Sequence, residues 1–459
     1  MTPHLLSHLP GAVTERLARA LAGVPTFLVG GTARDWVLHL RGRPLGRKAF
    51  RDLDLVCAAP AEELEKRLRA AGFRPVPVGR RFEVIKVVEP EIEIDVSTLT
   101  KNLDRRPAAG EIDALLAANL AGRDLTVNAM ALAWPGGELR DPLGGRADID
   151  RGLVRAVGRA EDRLAEDPLR ALRVARFAAL LDFDVDPALP GAMRGIAPRT
   201  AEVAPERVRA ELLEILAVPR PSVALRLLAE TGVLAVVLPE LAACVGVAQN
   251  RHHRLDVFDH TLLACDLVSP AFPRVRLATL FHDVGKPAAK AFRAEKGDFV
   301  FHGHDRTGAA TAEARMRALT FSNDEIAAVA TLVREHMFRF ASDLTPRVVR
   351  RWIARLAPVA PRDALRLSLA DWQATGLDFR VDPTTRRLLR MVRRIEVERP
   401  PLRVQDLAVG GKDLIALGLA PGPEFSRILA ALLDWVLDDP ARNEREGLLK
   451  RAALLIRTP

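Results

Sequence analysis

The stretch FLVGGTARDWVLHLRGRPLGRKAFRDLDLV, residues 27–56, decides how this chain is read. An apolar strand runs into a double glycine, a short amphipathic helix and an irregular loop follow, and a second strand carries Asp52 and Asp54. Gly30 and Gly31 have no Cβ, so the backbone can turn tightly and approach a ligand. The amides at the start of the next helix suit a phosphate. Residues two apart on a strand project to one side, so Asp52 and Asp54 share a face. Paired carboxylates there suit a divalent metal beside a triphosphate. A glycine pair or a D-x-D strand alone is an ordinary structural device; their order and proximity are what point to a site.

The composition sets the frame. A chain of 459 residues exceeds one core and, at roughly 150 residues per domain, suggests about three. Hydrophobic residues make up 49% and mean hydropathy is +0.05, which fits globular cores. No apolar run approaches the ~20 residues that span a bilayer, so no membrane role is expected. The N-terminus lacks a basic segment ahead of a long apolar core, so a signal peptide is not expected. Cys57, Cys244 and Cys265 are scattered without metal-ligand spacing, which suits a reducing cytoplasm. A net charge of +9 and a pI near 10.0 point to a polyanionic partner. With no Tyr and 5% aromatics, recognition of phosphate backbone and shape is favoured over base stacking.

Up to about residue 150 the chain mixes short strands with helices; FEVIKVV and EIEIDVSTL read as neighbouring strands, the second reaching Asp95. Beyond Val154 amphipathic helices such as AEDPLRALRVARFAALL, PERVRAELLEILA and PSVALRLLAETGVL take over and continue to the end. The fold expected is therefore an α+β head with a small mixed sheet, followed by an all-α neck, body and tail. The divisions expected are 1–150 (head), 151–235 (neck), 236–376 (body) and 377–459 (tail). RDLTVNAMAL, with Arg123, Asp124 and Asn128, reads as a strand-to-helix passage interrupted by polar groups. DPLGGRADI, with Asp141, Gly144, Gly145 and Asp148, reads as a turn. In the run Glu166-Asp167-Pro168-Leu169-Arg170, Pro168 suits the first turn of a helix and Glu166 or Asp167 its cap. Asp167 and Arg170 are three apart, the spacing that shares a helix face. Their carboxylate and guanidinium match the Watson–Crick edges of cytosine and adenine, which place an amine next to an acceptor; guanine and uracil reverse that order. Arg173 and Arg176 continue the stripe towards phosphates.

VGGTARD, DLDLV, GRDLTVNAMAL, DPLGGRADI, EDPLRALRVARFAA and PERVRAELLEIL occur here in the order seen in bacterial class II tRNA nucleotidyltransferases, and the chain resembles that family over essentially its whole length. The resemblance implies template-independent addition of C, A or both from CTP or ATP to the tRNA 3′ end. It implies Mg²⁺ on Asp52 and Asp54, and nucleotide contacts from Gly30, Gly31, Arg34, Arg123 and Asn128. Asp167 and Arg170 would read the base, and Glu206 and Arg207 would brace the reading helix. Asp95 is a candidate third carboxylate. The family usually has RRD where this chain has Gly122-Arg123-Asp124, which puts one basic contact in doubt. The segment TLTKNLDRRPAAGEID is shorter than the loop of many CCA-adding members, which leans the expectation towards CC addition. Bacterial poly(A) polymerases share the head, and the alternatives are such a polymerase or an RNA-binding protein with an inactive polymerase site.

The body holds a second constellation: His260 in VFDHTLLAC, His282 and Asp283 in ATLFHDVGKP, His302 and His304 in FHGHDRTG, His336 in VREHMF and Asp371 in LSLADWQATG. Imidazole and carboxylate together suit a divalent transition metal. The pattern resembles the HD phosphohydrolase domain found in one branch of the same family. That implies His260, His282, Asp283 and Asp371 as metal ligands, with His304 and His336 as extra ligands or phosphate contacts; His302 exchanges with His304 on spacing alone. The implied activities are phosphatase and 2′,3′-cyclic phosphodiesterase. In the tail, Lys412 and neighbouring arginines are expected against the tRNA elbow, alongside acceptor-end contacts. The oligomeric state is left open.

Overall fold

Seven strands make one mixed sheet in the order β3-β4-β5-β2-β1-β6-β7. They are β1 (Thr26–Val29), β2 (Asp52–Cys57), β3 (Val76–Val78), β4 (Val84–Glu89), β5 (Ile92–Thr98), β6 (Ala131–Ala133) and β7 (Leu139–Arg140). β2 and β5 run parallel, and every other neighbouring pair is antiparallel. The structure, a computed structural model, describes residues 9–43, 45, 49–78, 84–90, 92–100, 103–340, 344–376 and 383–457. Phe82 and Glu83 of the expected FEVIKVV strand, Glu91 of EIEIDVSTL, Lys101 and Asn102 of TLTKNLDRRPAAGEID, the first residues of the expected tail (377–382) and residues 1–8 of the N-terminal segment lie outside these.

Strand register places the chemistry. Val29 pairs with Asp54 across β1 and β2, and Asp54 pairs with Asp95 across β2 and β5. Paired residues face the same way, so Asp54 and Asp95 share the face that Asp52 also faces. Further along that face, Val56 joins Phe27, Val29, Leu99, Leu116 and Leu120 in an apolar cluster. The carboxylates sit where this cluster ends. On the opposite face Leu53 and Leu55 are buried.

The helices around this sheet and following it are α1 (Gly11–Ala20), α2 (Gly30–Leu40), α3 (Ala61–Ala70), α4 (Ile112–Ala121), α5 (Gly145–Arg151), α6 (Ala160–Glu166), α7 (Arg170–Leu181), α8 (Ala188–Ile196), α9 (Pro205–Ala217) and α10 (Pro221–Glu230). Among the described residues the remainder is helical, with loops and two short strand pairs, Leu153–Val154 with Asp184–Val185 and Ala291–Arg293 with Asp298–Val300. Contacts group the chain into two units: Met1–Arg207 with Val223–Val237, and Val208–Ser222 with Leu238–Pro459.

The passage RDLTVNAMAL runs the other way from its expectation. It leads from α4 through one turn, Thr126–Asn128, into strand β6. Asp124 is the cause: its carboxylate accepts from the Leu125 amide and from Asn128 Nδ2, closing the turn before the strand can start.

In the second unit, helices Val257–Leu267, Pro273–Phe281, His304–Ala318, Asn323–Glu335 and Pro361–Ala374 pack on one another. Asp256 caps the first of them, and a Ser322–Glu325 capping box starts Asn323–Glu335. Arg276 is fully buried, and its guanidinium donates to the carbonyls of Leu216, Val218, Pro219 and Val268. It satisfies carbonyls that the end of α9 leaves unpaired. The three cysteines are buried and unbridged, and burial pushes the Cys57 and Cys244 thiols up to about 12. Among the described residues no helix is long and apolar enough to cross a membrane.

Candidate nucleotide site and candidate metal centre

At the end of β1 the chain turns into α2 through Gly30, whose φ is +63°. A Cβ there would lie 2.8 Å from both Arg123 Nη1 and Asp54 Oδ2. The glycine, the guanidinium and the carboxylate thus close on one point, and glycine is required twice over, for the left-handed backbone and for the space. Burial raises the Asp54 carboxyl above the usual range; Arg123 opposes this, Asp95 and Asp52 add to it, and Arg34 opposes it. The Arg123 Nε–H is buried without a partner. Lys86 pairs with Asp95 at 3.4 Å.

These carboxylates fit a magnesium ion in a particular way. The pair Asp54 and Asp95 shares one face beside Asp52, but groups of three or more ligand atoms within 4.8 Å occur, among the described residues, only in the second unit. Mg²⁺ is usually held by one or two carboxylates together with substrate phosphates rather than by an all-protein cage. The unpartnered Arg123 donor beside them is suited to a phosphate oxygen.

Beside this point, Arg34 Nη1 donates to Asn128 Oδ1 at 2.9 Å, and Arg34 Nη2 to Asp35 at 2.7 Å. Asp124 Oδ2 accepts from Arg173 Nε at 2.6 Å. The guanidinium groups of Arg34, Arg173 and Arg176 lie 5.2, 5.5 and 4.3 Å from the Phe177 ring centre. All four expected residues, Arg34, Asn128, Arg173 and Arg176, therefore meet in one neighbourhood. Asp35 and Asp124, which anchor two of them, were not among the expected site residues. Asp35 had a signal, standing directly after Arg34; Asp124 had one only in its position next to Arg123.

Asp167 and Arg170 do not share a helix face as their spacing suggests. Asp167 is the extended residue that ends α6, and Arg170 opens α7. Pro168 breaks the helix between them, because the residue before a proline is pushed out of the helical region. The expected side-chain cap does not form: the N-cap position of α7 is Leu169, and Asp167 Oδ1 accepts instead from the Leu169 amide at 3.2 Å, one residue ahead of the helix. Arg170 donates to Glu166, the Arg163 carbonyl and the Gly122 carbonyl. Arg207 reaches Asp167 directly at 2.7 Å. Glu206 is exposed and has no side-chain partner among the described residues, so the bracing residue the structure brings to Asp167 is Arg207 alone.

The second unit gathers its six expected residues. His260, His282, Asp283 and Asp371 form one buried group; Asp283, His304 and His336 form another. His260 Nε2 lies 3.0 Å from Asp371 Oδ1, and His282 Nε2 lies 3.1 Å from Asp283 Oδ2. His304 is buried and His302 is exposed, so burial separates what spacing left exchangeable. Burial alone would raise Asp283, but His282, Lys286 and His260 hold it well below the usual range. Burial would lower His282, yet Asp283 and Asp371 lift it to about 10. His336, with burial and the charge of His282 both against it, falls to about 4. Two buried carboxylates among four imidazoles, with Asp283 Oδ1 and His260 Nδ1 unpartnered, form a donor set that fits a divalent transition cation. Lys286 and Gln249 were not anticipated. The Lys286 ammonium bridges Asp283 Oδ2 and Gln249 Oε1, both at 2.6 Å; the spacing of HDVGK carries Lys286, while Gln249 is brought in by the fold alone.

A glycine turn, strand carboxylates and an arginine thus meet on a mixed sheet that is followed by helices. The Poly A polymerase head domain matches residues 26–155, the probable RNA- and SrmB-binding site of polymerase A matches 182–245, and a putative tRNA nucleotidyltransferase domain 2 matches 305–452. An A-adding tRNA nucleotidyltransferase of Deinococcus radiodurans is 34% identical over 423 residues, 89% of this chain and 90% of that protein. A CC-adding tRNA nucleotidyltransferase of Thermus thermophilus is 35% identical over 443 residues, 94% and 93% respectively. The CCA-adding enzyme of Bacillus stearothermophilus in complex with CTP aligns at a TM-score of 0.65 and 25% identity, covering 100% of this chain and 99% of that one. The Thermotoga maritima CCA-adding enzyme complexed with tRNA, at 19% identity, shares the fold, with a TM-score of 0.55 over 98% and 97%. The chain belongs to the tRNA nucleotidyltransferases.

Proposed function

We propose that this enzyme adds C from CTP, and A from ATP where its loop permits, to the 3′ end of tRNA, with the weight on CC addition. The observation that carries nucleotide transfer is the convergence of Gly30, Asp54 and Arg123 beside Asp52 and Asp95. The CC weight rests on the short segment between β5 and α4; the A-adding and CC-adding relatives stand at 34% and 35% identity and do not choose between them. In the reaction the terminal ribose hydroxyl attacks the α-phosphorus, the bond to the β-phosphate breaks, pyrophosphate leaves and the hydroxyl proton passes to solvent. Asp52 and Asp54 would hold Mg²⁺, which supplies charge neutralisation on the phosphates and acidifies the attacking hydroxyl. Arg123 and Arg34 bind phosphate, Asn128 keeps Arg34 in place, and Gly30 and Gly31 let the backbone approach. Asp167 and Arg170 present acceptor and donor to the base edge, with Arg207 fixing the first. Positioning and electrostatics do the rest.

For the body we read His260, His282, Asp283 and Asp371 as an HD-type metal centre that hydrolyses phosphate esters and 2′,3′-cyclic phosphates at tRNA ends. Functionally the chain divides into head (1–150), neck (151–235), body (236–376) and tail (377–459). The tRNA surface includes Arg386, Arg387, Arg390 and Arg393 on helix Pro383–Glu398, which are exposed and have no carboxylate partner among the described residues, and the exposed Lys412.

Incorporation of labelled CTP and ATP into tRNAs ending at the discriminator base, at C and at CC tests the first reading. CTP incorporation onto the discriminator end is expected; no incorporation of either nucleotide overturns the assignment, and A-only incorporation reverses the CC weight. Asp283→Ala is expected to abolish phosphohydrolysis and leave nucleotide addition intact, and joint loss would argue against two separate sites.

A further inference from the structure

The short hairpin Ala291–Arg293 with Asp298–Val300 is rooted in the histidine and aspartate cluster of the body. Ahead of its first strand, Lys286 bonds Asp283 Oδ2 at 2.6 Å. Beyond its second strand, the Phe301 carbonyl accepts from His304 Nδ1 at 2.7 Å, and the Phe301 ring centre lies 5.6 Å from Lys286 Nζ. Residues 249–251 brace the hairpin along its length. Gln249 Oε1 accepts from Lys286 at the root, and Arg251 donates to Asp298 Oδ2 at 2.9 Å and to the Lys296 carbonyl at 2.7 Å near the tip. A lone two-stranded hairpin is marginal in water; these bonds make it a braced arm beside the centre.

The arm does not build a core, since all three residues of its first strand are exposed. Phe292 is 61% exposed and, among the described residues, the only aromatic in the set of large apolar side chains open to solvent. It pairs in register with Phe299, so both rings lie on one face, and they meet edge to face at 5.6 Å. Lys290 Nζ stands 4.1 Å from the Phe299 ring centre. The ammonium covers that ring and leaves Phe292 bare. An exposed apolar residue alone needs no explanation. A bare ring on a braced arm, with an ammonium beside it, has both parts of a single-strand platform: a π-face for a base and a charge for its phosphate. From Lys286 to Val300 four basic residues stand against two acidic ones, and Arg251 already holds one of these, Asp298. That balance favours a polyanion as the occupant.

We propose that Phe292 is a base-stacking platform for the unpaired 3′-terminal nucleotides of an RNA whose end phosphate enters the adjacent centre, with Lys290 meeting the phosphate backbone. The proposal rests on reading that centre as a phosphoesterase of RNA ends and adds how its substrate is chosen. Every base has a π-face, so the platform is indifferent to base identity. It prefers an end that carries a free base over a sugar phosphate that has none. It also prefers a frayed or single-stranded end over a duplex end, whose bases are already stacked on one another.

The test compares substrates with and without a base. On the full chain in Mn²⁺ buffer, 2′,3′-cyclic AMP and a single-stranded pentaribonucleotide ending in a 2′,3′-cyclic phosphate are set against methyl riboside 2′,3′-cyclic phosphate. Phe292→Ala is expected to raise KM for the two base-bearing substrates by about 10-fold, with kcat and the base-free substrate held within about twofold, and Phe292→Trp to restore KM. Binding is read apart from hydrolysis with the same strand ending in a 3′-hydroxyl. It should quench the added emission of Phe292→Trp, and Lys290→Gln should reduce the slope of log K against log salt by about 0.7. An equal KM rise for the base-free substrate overturns the inference, as does Phe292→Ala matching the unmodified chain in both KM and binding. No hydrolysis by the unmodified chain, with the tryptophan still quenched, would remove the hydrolase reading and spare the platform. Hydrolysis of all three substrates untouched by Phe292→Ala would do the reverse.

Discussion

Arg207 donates two hydrogen bonds to the carboxylate of Asp167, at 3.3 and 2.7 Å. Arg170, the other half of the proposed base reader, is engaged by Glu166 and two backbone carbonyls. Neither group waits as a bare charge. A nucleobase must add to these bonds or exchange with them, so discrimination depends on how firmly the protein partners hold the two side chains.

Arg207→Ala is therefore expected to lower kcat/KM for CTP by about 10–100-fold, the scale of a displaced reactive group, and to admit UTP and GTP. The pair is half exposed, with the arginine side chain at 51%, so stability should change by less than about 1 kcal/mol. Glu206→Ala should stay within about threefold. Steady-state kinetics with the four triphosphates checks both, and unchanged selectivity in Arg207→Ala would count against the bracing role.

Gly30 and Gly31 are expected to separate under substitution. An alanine at Gly30 places a Cβ 2.8 Å from Arg123 and Asp54 in a left-handed backbone, which costs about 1–2 kcal/mol before any clash. Incorporation should fall more than about 100-fold. At Gly31 the nearest atom is Arg34 Nη2 at 3.5 Å, an ordinary contact, and activity should drop by less than about 10-fold. Equal losses would place the requirement elsewhere.

Asp54 gives a pH signature. Its carboxyl is raised by burial and by its acidic neighbours, so the free enzyme loses the charged form at a pH above the ordinary ~3.9 of an aspartate. The acid limb of kcat/KM for nucleotide addition should lie above that value. Asp95→Asn removes one like charge and should move the limb to lower pH; a limb that stays in place or moves up would contradict the assignment.

Asp124 titrates with the opposite sign. Burial opposes its charge, but Arg173, Asn128 and the Leu125 amide outweigh that and hold it below its ordinary value. The stability it contributes is present above the unfolded pKa and is lost as pH falls through the folded one. Asp124→Asn should lose about 1–3 kcal/mol at neutral pH. Urea melts down to pH 2 should show the difference from the unmodified chain shrinking.

For the proposed tRNA surface, alanine at Arg386, Arg390 or Arg393 should weaken tRNA binding for every sequence alike. Each should also reduce the slope of log K against log salt by about 1. Fluorescence titrations across a salt series measure it. A slope unchanged in all three variants would move the contact off this helix.

Much of the fold and of the site is legible in the sequence because it lives in local pattern. Gly30 and the D-x-D of β2 announce a turn and a same-face pair, and PERVRAELLEILA announces α9 to the residue. What local pattern does not carry is register and direction. Asp95 becomes a neighbour of Asp54 because β2 and β5 align those two positions, a pairing that neither strand states. RDLTVNAMAL reverses its expected direction because its apolar run fits either element, and the deciding bonds come from the Asp124 side chain. Asp167 leaves the helix because Pro168 outweighs an otherwise helical spacing. Gln249 reaches Lys286 across 37 residues, and nothing in its surroundings signals it.

His282, His304 and His336 each bond through Nδ1 to the carbonyl three residues upstream: Thr279, Phe301 and Val333. Each ring's orientation is thus held by a bond inside its own four-residue segment. Each of these histidines therefore meets the centre with Nδ1 occupied and Nε2 left as its ligand atom. Loss of one histidine is then expected to remove a ligand without turning its neighbours' rings.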